Sequence, residues 1–593
     1  MILQALKEYY DRKLIEGSIA KDGWISRSID FLIDLDIDGN IKNVIDTKES
    51  KGNKKTTCLM DVPNIGKQAL KHANNGKDAN LLWDNASFVF GLGDKGDLRL
   101  QGMIKAINQW IGETDDPGII AVKSFLEKGQ KNRSHFDYAL LHPKYGELIK
   151  EGNVRISFSL SALDCEFVFN SPIVAEALKK MTGQNISSAT HSTKGVCLLT
   201  GDENALIELT HPVAKGVWGS QTSGACIVSF NKDAFNSYSK KQGLNAPVSK
   251  VATSQYNKAL NALLASKTQC IHIGDTSIVF WSEKKSSFES IFSELFSEFK
   301  KGDPNKEMQK VKTLFESINS KEYIENSDDT KFYILGLAPN TARISVRFWQ
   351  TGTIFEFASY IKQYFEDFAI VKPPKEPEFY SLWHILVNIS TQDKSENIPP
   401  NLLDEVMRSI LNKIPYPATL LQATLRRIRS DTENRVKPIR AALIKAYLNR
   451  YYKYNPNKAQ KEITMELDIS QPSTGYQLGR LFATLEKIQE EANPKINATI
   501  RKRFYEAACT TPIVAFTSLL CLKNHHLAKI ENKGRVVNFE RLLGEIVGNF
   551  KEFPAYLSLH EQGMFAVGYY HQRQKFFSKK ENTNNYETRG IKQ

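Results

Sequence analysis

The sequence has few cysteines, seven in 593 residues, and no two of them form a CxxC pair. Cys58, Cys165, Cys197, Cys226, Cys270, Cys509 and Cys521 make an odd, scattered set. That disfavours a disulfide framework or a zinc ribbon and suits a reducing compartment. Long apolar runs are missing too: none approaches the roughly 18 residues of a membrane-spanning helix. The opening Met1-Ile2-Leu3-Gln4-Ala5-Leu6-Lys7-Glu8 is charged where a secretory signal is apolar. The expected location is the cytoplasm, with no membrane partner. Short catalytic signatures are also absent: no Walker A loop, GxSxG elbow, HExxH motif or HD pair occurs. Cys509, Cys521, His525 and His526 have the wrong spacing for zinc, and Asp202, Glu203, Glu208 and His211 follow no ligand pattern. No metal or cofactor is therefore expected, and no catalytic constellation stands out, although active-site residues need not be sequence neighbours.

What the sequence does have is positive charge, placed unevenly. The net charge is +13, all of it in residues 401–593, and residues 421–460 alone hold +8. Arg426, Arg427, Arg429, Arg435, Lys437, Arg440, Lys445, Arg450, Lys453 and Lys458 supply it. A basic C-terminal third points to a polyanion, most often nucleic acid, although a solvated helix face would look the same.

Leu3, Leu6, Tyr9 and Tyr10 recur at helical spacing and predict an opening helix. Residues 24–26 and 29–36 alternate as strands do, ahead of an Asp38-Gly39-Asn40 turn. Residues 51–80, broken by Pro63, Gly66 and Gly76, read mostly as loop. Strands are expected over 151–170 and 193–230, a helix over 252–266, and strands over 271–281 and 332–349. The last is interrupted at Gly336 and Pro339-Asn340. No regular βαβ alternation appears. Beyond the Pro-rich 372–377 link the strand pattern stops, and prolines separate successive helical stretches. The expected class is α+β: a mostly antiparallel N-terminal and middle region, then an all-α C-terminal helical bundle. The expected divisions are 1–150 and 151–371 (both α+β), 378–464 (basic, helical) and 465–593 (the bundle).

Three loops have nucleic-acid chemistry. One carries Lys67, Lys71, Asn74, Asn75 and Lys77. A second, Ser237-Tyr238-Ser239-Lys240-Lys241-Gln242-Gly243-Leu244-Asn245, puts two lysines beside two amides. The third is the small turn holding Gln221 and Ser223. Lysine anchors phosphate, and an Asn or Gln amide can pair with a base edge. Surface loops of the same composition are common. Arg343 and Arg347, spaced by four on a strand, are expected to be structural.

An ordered set of longer stretches carries a resemblance. It includes Cys197-Leu198-Leu199-Thr200-Gly201, Gln221-Thr222-Ser223-Gly224-Ala225 and Gln242-Gly243-Leu244-Asn245-Ala246-Pro247-Val248. Further on come Tyr333-Ile334-Leu335-Gly336-Leu337-Ala338-Pro339-Asn340, Ala342-Arg343-Ile344-Ser345-Val346-Arg347-Phe348-Trp349 and Tyr476-Gln477-Leu478-Gly479-Arg480-Leu481-Phe482-Ala483. Over nearly its full length the chain resembles the large subunit of the type I-C CRISPR Cascade surveillance complex (Csd family, Dvulg subtype).

The resemblance implies a non-enzymatic subunit that reads the protospacer-adjacent motif (PAM) on target double-stranded DNA, helps open the duplex and form the R-loop, and holds the displaced single strand. The guide RNA reads the rest of the target. Implied partners are crRNA, the Cascade backbone and crRNA-capping subunits, helical small subunits and a trans-acting helicase-nuclease. On that basis Lys67, Lys71, Asn74, Asn75, Lys77, Gln221, Ser223, Lys240, Lys241, Gln242 and Asn245 become candidate PAM readers. Gln242 and Asn245 are also candidate wedges between base pairs. Arg426, Arg427, Arg429, Arg435, Arg440, Arg480, Arg501, Arg503 and Lys523 become candidates for the displaced strand or backbone. Arg480 reads equally as a helix–helix contact. The resemblance also raises Met465 as an internal start for a separately translated small subunit. The competing readings are a nucleic-acid enzyme with an unfamiliar site and a purely structural scaffold.

Overall fold

The computed structural model describes residues 1–51, 54–57, 59–65, 78–161, 167–184, 193–296, 329–399, 401–458, 460–494 and 496–577. Two units interleave along the chain, one from 1–213 and 228–262, the other from 214–227 and 263–593. Antiparallel sheet pairing prevails in the N-terminal and middle regions, and helices dominate the C-terminal region, as the sequence pattern predicts.

The first unit opens with α1 (Ile2–Ile15), which buries Ala5, Leu6, Tyr9 and Tyr10 on one face. Strands β1 (Trp24–Ser28), β2 (Phe31–Leu35) and β3 (Ile41–Asp46) follow. The β2–β3 turn is held by Asp36, whose carboxylate accepts from the amides of Asp38 (3.1 Å) and Asn40 (2.8 Å). The sheet runs β3-β2-β8-β7, with β7 at Trp83–Asn85 and β8 at Arg155–Leu160. β2 and β8 are parallel, so the chain between them must cross over. It does so partly through α2 (Gly96–Trp110) and α3 (Pro117–Lys131), two helices absent from the sequence reading. Their signal was available: the Asp116 carboxylate caps α3 by accepting from the Ile119 amide (3.0 Å), and Pro117 takes the first helical position.

Two stretches depart from expectation. Of the expected 51–80 loop, residues 66–77 lie outside the described residues, and residues 51–63 are not mainly loop. They hold part of β4 (Lys48–Lys51), and β5 (Lys54–Thr57) and β6 (Leu59–Pro63), with β6 paired to the distant β1. That partner is tertiary and leaves no local trace. Residues 193–230 are not extended strands. They hold only the two-residue pair β9 (Lys194–Gly195) and β10 (Ala205–Leu206), and single bridges. Gly201, Gly216, Gly219 and Gly224 all take left-handed φ there and turn the chain repeatedly. The unit also contains α4 (Pro172–Gln184) and all but the last three residues of α5 (Lys250–Ala265).

In the second unit β11 (Cys270–Ile273), β12 (Thr276–Ser282), β13 (Lys331–Asn340) and β14 (Arg343–Thr353) pair antiparallel in sequence order. β13 continues past Gly336, but its register with β14 shifts between Gly336 and Leu337, where the sequence predicts an interruption. A Cβ at Gly336 would lie 2.4 Å from the Phe348 ring, so glycine lets the ring cross. Arg347 pairs with Asp275 (2.9 Å) and donates to Asn401 (2.9 Å), a structural role. Ile278, Phe280, Phe332, Ile334 and Phe348 enter an apolar core that continues into the helices.

Those helices are α6 (Phe288–Phe296), α7 (Ile354–Phe368), α8 (Leu382–Ile389), α9 (Leu402–Leu411), α10 (Ala418–Ser430) and α11 (Pro438–Tyr454), followed by α12 (Thr474–Ala492), α13 (Ile500–Thr510), α14 (Pro512–Ala528), α15 (Lys533–Val547) and α16 (Leu559–Phe577). The Thr353 hydroxyl and the Glu356 carboxylate cap α7 reciprocally. α12 and α16 pack backbone to backbone. A Cβ at Gly479 would meet the Phe565 carbonyl at 2.1 Å, and one at Gly568 the Tyr476 carbonyl at 2.2 Å.

A buried polar relay locks this pair. The Tyr476 hydroxyl accepts from the Asp468 amide (3.2 Å) and shares a hydrogen bond with His571 Nδ1 (2.8 Å). Burial, aided by the Lys445 charge, pushes the His571 imidazole down to about 3. Its folded pKa therefore lies below its unfolded one, and protonation favours the unfolded chain. Stability is expected to fall by about 2 kcal/mol between pH 7 and pH 5 from this residue. Urea midpoints at the two pH values check this: in His571→Gln the acid-induced loss should shrink by that amount.

Candidate nucleic-acid interface

The 237–245 loop belongs to the first unit and is built to hold its shape. Gly243 sits against 208–209, its amide donating to the Leu209 carbonyl (2.9 Å). A Cβ there would be 2.1 Å from the Glu208 carbonyl oxygen, so no other residue fits without moving backbone. Asn245 braces the interior. Its Oδ1 accepts from the Ser237 amide (2.9 Å), and its Nδ2 donates to the carbonyls of Lys240 (3.1 Å) and Gln242 (2.9 Å). The amide expected to read or wedge bases is thus occupied within the loop, and Asn245 is a shaping residue.

Tyr238, Ser239 and Gln242 all have left-handed φ (48°, 59° and 47°). For residues with a Cβ this costs about 1–2 kcal/mol each. The brace offsets that strain, and the result is outward display: Lys240, Lys241 and Gln242 are exposed, and Tyr238 is 93% exposed. Tyr238 is the residue that sequence reasoning passed over. Its signal was a large aromatic within a polar, lysine-bearing loop, where a ring can stack on a base.

Gln221 and Ser223 lie on a turn of the second unit, closed by the Gly224 amide donating to the Gln221 carbonyl (2.9 Å). Both are exposed, and the Ser223 hydroxyl reaches the Gln221 side-chain oxygen at 3.5 Å. Lys67, Lys71, Asn74, Asn75 and Lys77 fall outside the described residues. His211 is buried against the Tyr256 hydroxyl, and burial pushes it down to about 4. Among the described residues no group of three or more His, Cys, Asp or Glu side chains is placed to hold a metal ion.

The basic helices sort into three groups. Arg435, Arg440 and Arg480, expected at a strand, are buried. Arg435 donates to the carbonyls of Arg429 (2.7 Å) and Ile428 (3.3 Å) at the end of α10. Arg440 pairs with Asp431 (2.9 Å). Arg480 donates to Gln572 (3.2 Å), Gln477 (2.9 Å) and Glu545 (2.9 Å). Arg435 and Arg480 are thus engaged within the fold, and Arg440 is held through its Nη1, leaving its Nη2 without a hydrogen-bond partner.

Arg427, Arg429 and Arg501 form a half-buried group. Arg427 pairs with Asp393 (3.0 Å), Arg429 donates to the Gln562 side chain, and Arg501 lies 3.6 Å from Glu486. Exposed Arg426 and Arg503 and half-buried Lys523 have no partner among the described residues. They remain available to a phosphate backbone.

Asp393 is the second residue missed in the sequence. Partial burial alone would raise its carboxyl pKa, but the Arg427 hydrogen bond and the Lys437 and Arg427 charges outweigh it and hold the carboxyl below the usual range. Asp431 is lowered likewise against its own burial, by the Asn434 amide and by Arg440.

A family model described as CRISPR-associated protein (Cas_Csd1) matches residues 6–577. Comparison with curated proteins gives no match.

The brace yields a direct test. Asn245→Ala should release the 237–245 loop while leaving the melting temperature nearly unchanged. Tryptic cleavage after Lys240 and Lys241 in the folded chain is expected to speed up about tenfold, the effect of roughly 1.4 kcal/mol of lost local stability.

Proposed function

The chain belongs to the Csd1 family of CRISPR-associated proteins and is a CRISPR Cascade subunit, and we propose that it is the subunit that reads the protospacer-adjacent motif on target DNA. The observation that carries this reading is the 237–245 loop. Strained backbone, an internal amide brace and a seated glycine present Tyr238, Lys240, Lys241 and Gln242 together to solvent. Lysine supplies phosphate contact, the Gln242 amide suits a base edge, and the Tyr238 ring suits stacking at an opened step.

In this reading the chain binds crRNA-loaded Cascade through the backbone and capping subunits. It engages the motif-bearing duplex, promotes R-loop formation, stabilises the displaced strand with helical small subunits, and helps recruit the trans-acting helicase-nuclease. It carries no catalysis of its own. Arg426, Arg503 and Lys523, which have no partner among the described residues, are the strand contacts in this reading.

The test compares wild-type complex, assembled with crRNA, and a Lys240→Ala/Lys241→Ala/Gln242→Ala variant. Binding is measured on matched duplexes with and without the flanking motif, at one fixed salt concentration. The variant should assemble normally and lose at least about tenfold of the motif discrimination, the worth of a single base-edge contact. Retained discrimination removes the loop from the reading role. A wild type with no flanking-sequence preference favours the scaffold reading, and metal-dependent cleavage by the purified chain favours the enzyme.

A further inference from the structure

Asp393 sits where a phosphate would. It lies at the end of the Thr391–Asp393 turn that follows α8, and both it and Gln392 have left-handed φ (53° and 61°). Three cations from two other elements converge on its carboxylate. Arg427 Nη2 of α10 is 3.0 Å away, Lys437 Nζ just ahead of α11 is 3.4 Å away, and Arg440 Nη2 of α11 is 3.9 Å away. Asp431 neutralises one of these charges through Arg440 Nη1. Three cations then face two carboxylates, and the surplus is positive.

The hydrogen bonding is incomplete as well. Arg440 is fully buried, yet its Nη2 has no hydrogen-bond partner, and the buried Arg427 Nε has none. A phosphodiester, like a carboxylate, presents two charged oxygens, but in a tetrahedral spread that also suits converging guanidinium and ammonium donors. The site is reachable: the side chains of Asp393 and Lys437 are 39% and 29% exposed. Exposed, unpaired Arg426 is the chain neighbour of Arg427.

We propose that Arg427, Lys437 and Arg440 form a binding site for a backbone phosphate of single-stranded nucleic acid, and that Asp393 occupies this site in the free chain as an internal competitor. An arriving strand must displace the carboxylate, so the basic region discriminates against weak, incidental polyanions. The proposal rests on reading that region as a strand-binding surface.

The experiment measures binding of a fluorescent oligothymidylate to the full-length chain across a salt series. Asp393→Asn should tighten binding about tenfold and steepen the salt dependence by about 0.7, the contribution of one added phosphate contact. Glu396→Gln is the control for loss of one negative charge close by. Among the described residues its carboxylate pairs with Lys394 alone (3.6 Å), and it should change affinity less than twofold. Adding Arg427→Gln to Asp393→Asn should abolish the gain.

Equal effects of Asp393→Asn and Glu396→Gln, or a gain that survives Arg427→Gln, overturn the proposal. Replacing chloride by inorganic phosphate at equal ionic strength is the free-ion arm. If millimolar phosphate alone erases the gain, the site takes the free ion and the strand assignment fails. Should Asp393→Asn fail to fold, Lys437→Gln decides, with about threefold weaker oligonucleotide binding expected and unchanged affinity overturning the proposal. Failure of the strand-binding reading itself looks different: wild type then shows no salt-dependent binding, or Arg426→Gln and Arg503→Gln leave it unchanged.

Discussion

The contact between α12 and α16 is the constraint on which the C-terminal half depends. Gly479 and Gly568 let the two backbones approach to a distance at which any Cβ would overlap a carbonyl. Between the helices the Phe482 and Phe565 rings pack 5.9 Å apart, beside a set of paired polar groups. Tyr476 meets His571, Arg480 meets Gln572, and Tyr569 donates to Glu486 (2.6 Å). Glu486, itself fully buried, also faces Arg573 (3.4 Å) and Arg501 (3.6 Å). A half-satisfied network of this kind would be worse than an apolar core. The glycines and the polar residues therefore depend on each other: the close approach is tolerable because the network is paired, and the network pairs because the helices are close.

This dependence separates what was legible in the sequence from what was not. The Tyr476–Ala483 stretch stood out as a motif, and its Gly479 and Arg480 prove to be the notch and the clamp of one helix pair. α1 and the Asp38-Gly39-Asn40 turn were readable because their causes are local, a 3.6-residue stripe and a turn tripeptide. β6 was not, because its partner β1 lies over thirty residues earlier. The interleaving of the two units was also out of reach, since the short 214–227 insertion carries no composition change. In the site, loop position and lysine content were visible. The division of labour within the loop was not. Asn245 and Gln242 are equivalent in composition, and only the fold shows that one amide is spent internally and the other faces solvent.

The same limit governs the arginines. A charge count over 421–460 treats every cation as a phosphate contact, but a buried guanidinium is retained only where it is paired, and each pair removes a cation from the surface. Arg440 and Arg480 show no exposure at all, and Arg450 is bound to Asp367 and to the carbonyls of Ser409 (2.8 Å) and Ile414 (3.1 Å). Much of the apparent polyanion surface is thus internal scaffolding. Arg426 and Arg503 are among the cations that do face solvent.

The bundle after Met465 carries a further physical condition. A chain beginning there would keep the α12–α16 pair and its network, since Asp468, Ile469 and Gln471 all lie downstream and bond to Tyr476, Arg480 and Gln477. It would lose α11, whose Ile444 and Leu448 approach α16 at Gly563 (3.0 and 3.3 Å from a Cβ built there). It would also lose the Val371 carbonyl that accepts from the Tyr570 hydroxyl (2.7 Å). The hydrogen-bond lock is therefore separable from the rest of the chain, and the apolar cover is not. Any independent existence of this segment turns on covering one face of α16, around Gly563, Val567 and Tyr570, against water. In the full-length chain that cover is α11, so the helix carrying the buried Arg440 and Arg450 also seals the bundle, and the basic region and the bundle share one core.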